Sequence, residues 1–219
     1  MSTQVQFRRG TTAENDAFTG AVGEITVDTT LNKLRLHDGS TAGGSVIVGQ
    51  LVLIQSQVVG STVASVDFTT AIDATYDAYT FVISGFRPTN LNVSIVIRVG
   101  TPNFQSGSVY SYHGTLSNSA SNNYVGLSSA ADTFIRCGDF SNAATANGSL
   151  EVVMSKPADS ALLTTFAWFG GGLRGGPTAH MAYGYGQHDV NAVVTKVKFF
   201  TNSGNIEAGR FTLFGVRHD

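Results

Sequence analysis

The 219-residue sequence is poor in charge, cysteine and proline, and each deficit excludes a class of protein. Charged residues make up 13% and the formal net charge is −2, so no basic face of the size that nucleic-acid binding requires is expected. The one cysteine, Cys137, cannot form an intrachain disulfide, which is typical of a chain made in a reducing cytoplasm. No apolar run approaches the ~20 residues of a membrane-spanning helix, and no signal segment is visible at the start.

The residues that are abundant predict a β protein. The sequence has 25 glycines, many Ser, Thr and Asn residues, and only 4 prolines, which is typical of a turn-rich all-β chain. Low charge beside 42% hydrophobic residues indicates that part of the surface is hidden between subunits. The length predicts two modest domains, which we place at residues 1–48 and 49–219.

Two pairs of apolar residues alternate with polar ones on either side of the turn-like residues 29–32. This pattern predicts a β-hairpin with one apolar face. Two strands are marginal in water, so the face requires cover, either from the short segment before it or from the same hairpin of another chain. We therefore expect an oligomer whose interface contains five apolar residues: Phe7, Ile25, Val27, Leu34 and Leu36.

The residues before the hairpin complete a recognisable pattern. Residues 5–9 predict a short strand, and Thr11-x-x-Glu14 is a capping box that predicts a brief helix. The runs QFRRGTTAEN, GEITVDTT and NKLRLHDGST together resemble the N-terminal domain of phage tropism determinants and tail-fibre proteins, over roughly residues 1–48. The resemblance implies a small β-prism, built by three chains around one axis, at the virion-attached end of a fibre or receptor-binding protein.

Residues 49–219 contain about ten short apolar stretches separated by Gly, Asn and Ser turns, with almost no helical pattern. One strand inside long loops is expected between residues 100 and 123, and Pro88 is expected to stop a strand. The spacing favours a jelly-roll-type β-sandwich over a parallel α/β fold. The opening and closing runs, VDFTTAIDATYDAYTFVISGFRP and VTKVKFFTNSGNIEAGRFTLFGV, resemble a β-sandwich domain common in phage tail and fibre proteins.

Motifs that could carry catalysis or a cofactor are weak. Residues 170–175 spell G-x-G-x-x-G, but Gly176-Pro177 follow where a dinucleotide site requires a helix, so an exposed flexible loop is predicted instead. Cys137 lies in an apolar run that predicts packing rather than reactivity. Carboxylates are scattered one per strand or loop, unlike the paired carboxylates of a glycosidase: Asp132, Asp139, Glu151 and Asp159. We expect neither an enzyme nor a bound cofactor.

The histidines lack the spacing of a metal site, so no metal is predicted. In a trimer, however, one histidine on the threefold axis could place three imidazoles around an ion. His37, at the end of the hairpin, is the candidate for that arrangement.

Aromatic and polar residues in loop-like sequence form two groups suited to recognising a saccharide or a protein surface. Burial is the competing interpretation, because Tyr183 and Tyr185 alternate as strand residues do and Trp168 ends an apolar run. The first group contains Tyr110, Tyr112, His113 and Tyr124, with the amides Asn118, Asn122 and Asn123. The second contains Trp168, Arg174, His180, Tyr183, Tyr185 and His188, with Gln187.

The sequence thus favours a non-enzymatic phage virion protein, assembled in the host cytoplasm. A trimerising domain at 1–48 would attach to the virion, and a jelly-roll head at 49–219 would face the host. Expected partners are further copies of the chain, other tail or capsid proteins, and a host surface glycan or protein, without nucleic acid or membrane insertion. Two alternatives stay open: a capsid decoration, head-fibre or tail-assembly protein that contacts only virion proteins, and a saccharide-cleaving tailspike.

Overall fold

In the computed structural model the chain divides into two compact units, Met1–Gln50 and Leu51–Asp219. The structure describes residues 6–47, 51–119, 124–175 and 178–216. Sixteen strands and one five-residue helix make up the regular structure of these residues, which confirms the predicted all-β fold class. None of the described residues belongs to a helix with the length and apolar character that a membrane crossing requires.

The N-terminal unit is a small four-stranded sheet with one short helix. Its elements are β1 (Arg8–Gly10), α1 (Thr12–Asp16), β2 (Ile25–Asp28), β3 (Lys33–Leu36) and β4 (Ser45–Val46), and the sheet order is β1-β2-β3-β4. β1 runs parallel to β2, whereas β2, β3 and β4 are antiparallel. The predicted hairpin and the capping box are both confirmed, since Thr11 and Glu14 each accept a hydrogen bond from the other's backbone N–H.

The C-terminal unit is a sandwich of an eight-stranded and a four-stranded sheet. Its strands are β5 (Leu51–Val59), β6 (Ser65–Phe68), β7 (Ala78–Pro88), β8 (Val93–Gly100), β9 (Tyr110–Asn118), β10 (Tyr124–Asp132), β11 (Ile135–Phe140), β12 (Gly148–Ser155), β13 (Thr165–Arg174), β14 (Thr178–His188), β15 (Lys196–Thr201) and β16 (Ile206–Val216). The large sheet has the order β10-β9-β14-β13-β12-β7-β16-β5, and the small sheet has the order β11-β8-β15-β6. Every strand pair within them is antiparallel.

The sandwich is an elaborated jelly roll. The chain changes sheet on entering β6, β7, β8, β9, β11, β12, β15 and β16. Strands β6 to β12 together with β15 reproduce the alternation of an eight-stranded jelly roll. The hairpin β13–β14 is inserted between β12 and β9, and β16 with β5 extends the same sheet at the opposite end. These additions double the width of one sheet and leave a broad outer face.

Aromatic side chains fill the space between the sheets. Phe68, Phe81, Phe199 and Phe211 are at most 1% exposed, and their rings meet at tilted or edge-on angles with centroids 5.1 to 6.3 Å apart. Such interlocked rings contribute stabilisation beyond their buried area. The core therefore holds the large sheet as a rigid platform for its outer side chains.

One expectation about local structure is wrong. Residues 170–174 form part of β13 and pair with β12 and β14, instead of forming a flexible loop. The one strand expected between residues 100 and 123 is β9, which lies within the large sheet. The expected stop at Pro88 is confirmed, since Pro88 is the last residue of β7.

Candidate functional sites

The interior of the N-terminal unit is polar. Arg35, which is 4% exposed, donates from Nε and Nη2 to Oδ2 of Asp28 at 3.1 and 2.7 Å, and from Nη1 to Oδ1 of Asp16 at 2.7 Å. Burial alone would raise the pKa of Asp28, but hydrogen bonds from the backbone of Leu31 and from Arg35 lower it overall. The N-terminal unit thus has a buried ion pair in its interior, where a small domain usually has apolar packing.

A second series of hydrogen bonds in this interior includes His37. Its Nδ1 accepts from the N–H of Gly20 at 3.2 Å, so the ring proton lies on Nε2, which donates to Oγ1 of Thr26 at 3.0 Å. Thr26 in turn donates to Oδ1 of Asn15 at 2.7 Å. Because His37 is 2% exposed and bonded inside its own chain, the suggestion that it could hold an ion on an oligomer axis is wrong.

The hairpin turns its apolar face away from this interior. Leu34, Leu36 and Phe7 are 41%, 46% and 52% exposed, and Ile25 and Val27 are half-buried. The alternative that the segment before the hairpin covers this apolar face is wrong, because β1 pairs edge to edge with β2 and leaves the face open. Across residues 6–47, every buried side chain is polar: Asn15, Thr26, Asp28, Arg35 and His37. A contiguous exposed apolar face of this kind is typical of an interaction surface.

Four of the ten predicted receptor-contact residues are core residues of the head. Tyr110, Trp168, His180 and His188 are 0%, 3%, 7% and 2% exposed. The Tyr110 hydroxyl accepts from the N–H of Val99 at 3.0 Å, and burial lowers the pKa of both histidines. A receptor on the outer surface would not touch these side chains, so their assignment as contact residues is corrected.

Two further candidates are half-buried and already bonded within the chain. The Tyr112 hydroxyl donates to Oδ2 of Asp132 at 2.9 Å, and burial together with that carboxylate raises the pKa of Tyr112 to about 12. Arg174 lies 3.3 Å from Oδ2 of Asp139, which also holds Arg136. Both side chains support the fold, and their polar ends are engaged by carboxylates of the same chain.

The remaining four candidates lie on the outer face of the large sheet. Tyr124, Tyr183 and Tyr185 are 72%, 41% and 52% exposed, and His113 is also exposed. Tyr185 lies directly opposite His113, because β14 pairs with β9. The two predicted groups, distant in sequence, therefore share one surface. Asn122 and Asn123 lie outside the described residues, and the Asn118 side chain is likewise not described.

Sequence reasoning missed two neighbours on this face, Phe169 and Met181. Phe169 is 62% exposed and lies between Glu151 and Tyr183 in one row across three strands. Met181, 37% exposed, follows on the same side of β14. The alternation within the predicted strand already gives Phe169 the opposite orientation to Trp168, and a buried Trp168 would have signalled an exposed Phe169.

A cleft of about 760 Å³ opens beside Phe169 on this face. Ser149, Gly171 and Met181 form a row across three strands, and Gly171 contributes no side chain to it. Phe169 and Glu151 border the gap on one side, and the segment before β12 contributes Thr145 and Asn147. The cleft is an open, aromatic-walled depression with polar edges.

The carboxylates and the cysteine do not assemble into a catalytic group. Glu151 is the only acidic residue that lines the cleft, whereas glycoside hydrolysis uses two carboxylates. Cys137 is fully buried, and burial raises the pKa of its thiol, which agrees with the predicted packing role. In the described ranges, no three His, Cys, Asp or Glu side chains form a group that could hold a metal ion.

Comparison with known proteins finds relatives of the N-terminal unit. A family model described as "Major tropism determinant N-terminal domain" matches residues 5–41. A "Tail fiber receptor-binding protein" of Bordetella phage BPP-1 is 66% identical over 44 residues, which is 20% of this chain and 12% of that protein. These relatives are named for receptor binding and tropism, and neither name describes an enzyme.

Solved structures of major tropism determinant variants also match. The P3c variant is 24% identical and the U1 variant 22% identical, covering 63% and 81% of this chain and 37% and 42% of theirs. Both have a TM-score of 0.22, which is too low to show that the head shares their fold. The chain spans 12% of the curated relative and less than half of each solved chain. The resemblance of the N-terminal segment to the major tropism determinant N-terminal domain is thus confirmed over residues 5–41.

Proposed function

We propose that the chain is a trimeric phage virion protein that assembles and attaches through its N-terminal unit and presents its jelly-roll head to the host surface. One observation carries the proposal: across residues 6–47 the buried side chains are all polar, and the apolar hairpin face is exposed. Turning that face towards the same face of other copies removes it from water. The similarity of residues 5–41 to a domain of tail-fibre and tropism proteins supports the virion context.

A threefold arrangement suits the shape of the unit. The sheet β1-β2-β3-β4 has one face packed on its own polar interior and one free apolar face. Three such sheets around an axis would face one another as a prism and bury Leu34 and Leu36 of each chain, in agreement with the β-prism implied by the family resemblance.

The head supplies a surface suited to recognition. Phe169, Tyr183 and Tyr185 are large, rigid side chains exposed on neighbouring strands of a well-packed sheet. Such side chains provide contact area at low cost in conformational entropy. With a single carboxylate in the adjacent cleft, binding without cleavage is the function that this face supports.

The edge strand β5 is the observation that favours the alternative of a protein contacting only other virion components. β5 pairs on one side alone, with β16, and Leu51, Leu53 and Val58 are 54%, 62% and 61% exposed. An exposed apolar edge is a site where another chain can pack. A head that binds purified tail or capsid proteins but no cell would support this alternative.

The test pairs native mass measurement with binding to a panel of bacterial cells. The full-length protein should have the mass of three chains, and Leu36→Asp should convert it into folded monomers, because three carboxylates would face one another in the shared core. Leu162→Asp is the matched control, since Leu162 is 49% exposed in a loop of the head. A wild-type monomer, or intact trimers of Leu36→Asp, would refute assembly through the hairpin. Trimers that bind no cell would refute the adhesive role.

A further inference from the structure

The cleft beside Phe169 exists because one position in an outward-facing row is empty. Ser149 and Met181 flank Gly171 on the neighbouring strands, and both project from the outer face. Along the same strands, the next outward row places Phe169 between Glu151 and Tyr183. Gly171 therefore leaves sheet backbone uncovered beside an exposed aromatic ring, and a Cβ at this position would come 2.3 Å from the carbonyl oxygen of His180.

The polar groups at the rim are not used by the fold. Thr145, Asn147, Ser149 and Glu151 are exposed, and none of their side chains makes a hydrogen bond or ion pair with another described residue. Phe169 likewise has no ring partner in the described chain. Hydroxyl, amide and carboxylate groups that converge on one depression can thus bind a ligand without breaking any contact within the protein.

The charge of the lining selects among ligands. Glu151 is the single acidic residue of the lining, and neither Lys nor Arg is among the lining residues, all of which the structure describes. The lining also includes His180, which is 7% exposed and whose pKa burial lowers, so its ring supplies no positive charge at neutral pH. Phosphorylated, sulfated or carboxylated glycans would therefore meet a carboxylate without a compensating cation. A neutral sugar instead offers C–H faces that stack on an aromatic ring and hydroxyls that donate to Glu151 and Asn147.

We propose that this cleft binds a neutral saccharide, with Phe169 stacked on a sugar ring and Glu151, Asn147, Thr145 and Ser149 bonded to its hydroxyl groups. The proposal rests on the host-binding role of the head proposed above and specifies its ligand class. Of the three consecutive glycines of β13, only Gly171 lies in the outward row, whereas a Cβ at Gly170 or Gly172 would approach the core side chains Leu150 or Phe140 to 2.9 or 3.3 Å.

The experiment measures binding of the full-length protein to an array of neutral and acidic oligosaccharides, and to neutral and acidic polysaccharide fractions extracted from any cells it binds. Neutral saccharides should bind, with titration of a bound oligosaccharide by calorimetry giving the affinity. Phe169→Ala should weaken that affinity about tenfold or more, because the stacked ring is lost. Glu151→Gln should weaken it by about fivefold, since a charge-assisted hydrogen bond becomes a neutral one.

Tyr124→Ala is the matched control. It removes an aromatic ring that is 72% exposed on the same face, at the β10 edge three strands from β13, and should leave the affinity unchanged within about twofold. Cell binding that survives Phe169→Ala and competition by the neutral fraction would overturn this inference and leave the adhesive role intact. Neutral-saccharide binding that depends on Phe169, without binding to any cell, would support the cleft and refute the adhesive role. Binding of acidic glycans or of a protein alone would overturn the saccharide assignment.

Discussion

Arg35 shows how single residues of the N-terminal unit replace an apolar core with charge. Its guanidinium reaches Asp28 and Asp16 and also donates to the carbonyl of Gly43 at 3.0 Å. Buried ion pairs seldom exceed apolar packing in net stability, but removing one partner leaves the other charge uncompensated. Polar interiors of this kind fix a unique arrangement, which suits a unit whose apolar residues are directed outward.

Arg35→Ala should therefore destabilise the N-terminal unit by about 3 kcal/mol, because Asp28 loses its charge partner in the interior. Arg8→Ala is the control, since its side chain is 59% exposed and its ion pair with Glu24 at 3.4 Å is worth less than about 1 kcal/mol. Hydrogen exchange of residues 25–36 in the full chain distinguishes the two variants. Equal protection in both would show that the pair does not hold the unit together.

His188 makes the stability of the head depend on pH. The ring is 2% exposed, neither of its nitrogens has a hydrogen-bond partner among the described residues, and burial lowers its pKa below the usual 6.5. The unfolded chain therefore takes up a proton near pH 6.5 that the folded head does not. The free energy of unfolding should fall as the pH drops from about 7 through that range.

His188→Phe should flatten this dependence and raise stability by about 1 kcal/mol at neutral pH, because a ring without unpaired nitrogens would pack on Tyr110. Denaturant titrations at pH 7.5 and pH 5 measure both effects. His113→Phe, the same change at an exposed site, should leave the slope unaltered. An unchanged slope in His188→Phe would assign the pH dependence to other groups, His180 among them.

At the scale of elements, local patterns were predictable and tertiary ones were not. The hairpin β2–β3 and the capping box at Thr11 depend on neighbouring residues, so the sequence was enough to place them. The second half of β13 was missed because its glycines look like turn residues, and β9 was expected only as one strand without bounds inside long loops. Gly114 and Gly184 are instead required by packing, since the Trp168 indole lies against both of them across the sheet.

The same limit applies to the candidate site. Alternation placed Tyr183 and Tyr185 on one side of a strand, but no local signal showed that this side is the outer face of the sheet. Phe169 was missed although its strand was expected, because no local signal showed which side of that strand faces outward. The cleft depends on the pairing of Gly171 with Ser149 and Met181, which only the folded sheet brings together.

Gly184→Ala should destabilise the head by about 3 kcal/mol, because the added Cβ would come 2.3 Å from the Trp168 ring and 2.6 Å from the carbonyl oxygen of His113. Gly126→Ala, on an outer strand of the same sheet, meets nothing within 4 Å and should be nearly neutral. Thermal unfolding of the two variants provides the comparison. Equal midpoints would show that β14 can move away from the indole at little cost.

For the whole molecule, the proposed function divides assembly and recognition between the two units. The N-terminal unit exposes apolar side chains that need partners, whereas the head buries a complete aromatic core of its own. A chain organised in this way can lose its oligomeric state without losing the fold of the head. This separation allows the contribution of assembly to adhesion to be measured directly.

Leu36→Asp should reduce binding to cells by about 10² to 10⁴-fold while leaving the affinity of each head for a soluble saccharide unchanged, because a monomer loses the effective concentration that three linked heads provide. Surface plasmon resonance on immobilised cell-surface polysaccharide gives the first quantity, and calorimetry with the free oligosaccharide gives the second. Leu162→Asp should match the wild type in both measurements. A monomer that binds the immobilised surface as tightly as the trimer would mean that each head already engages its receptor fully, and that the oligomer serves attachment to the virion instead of avidity.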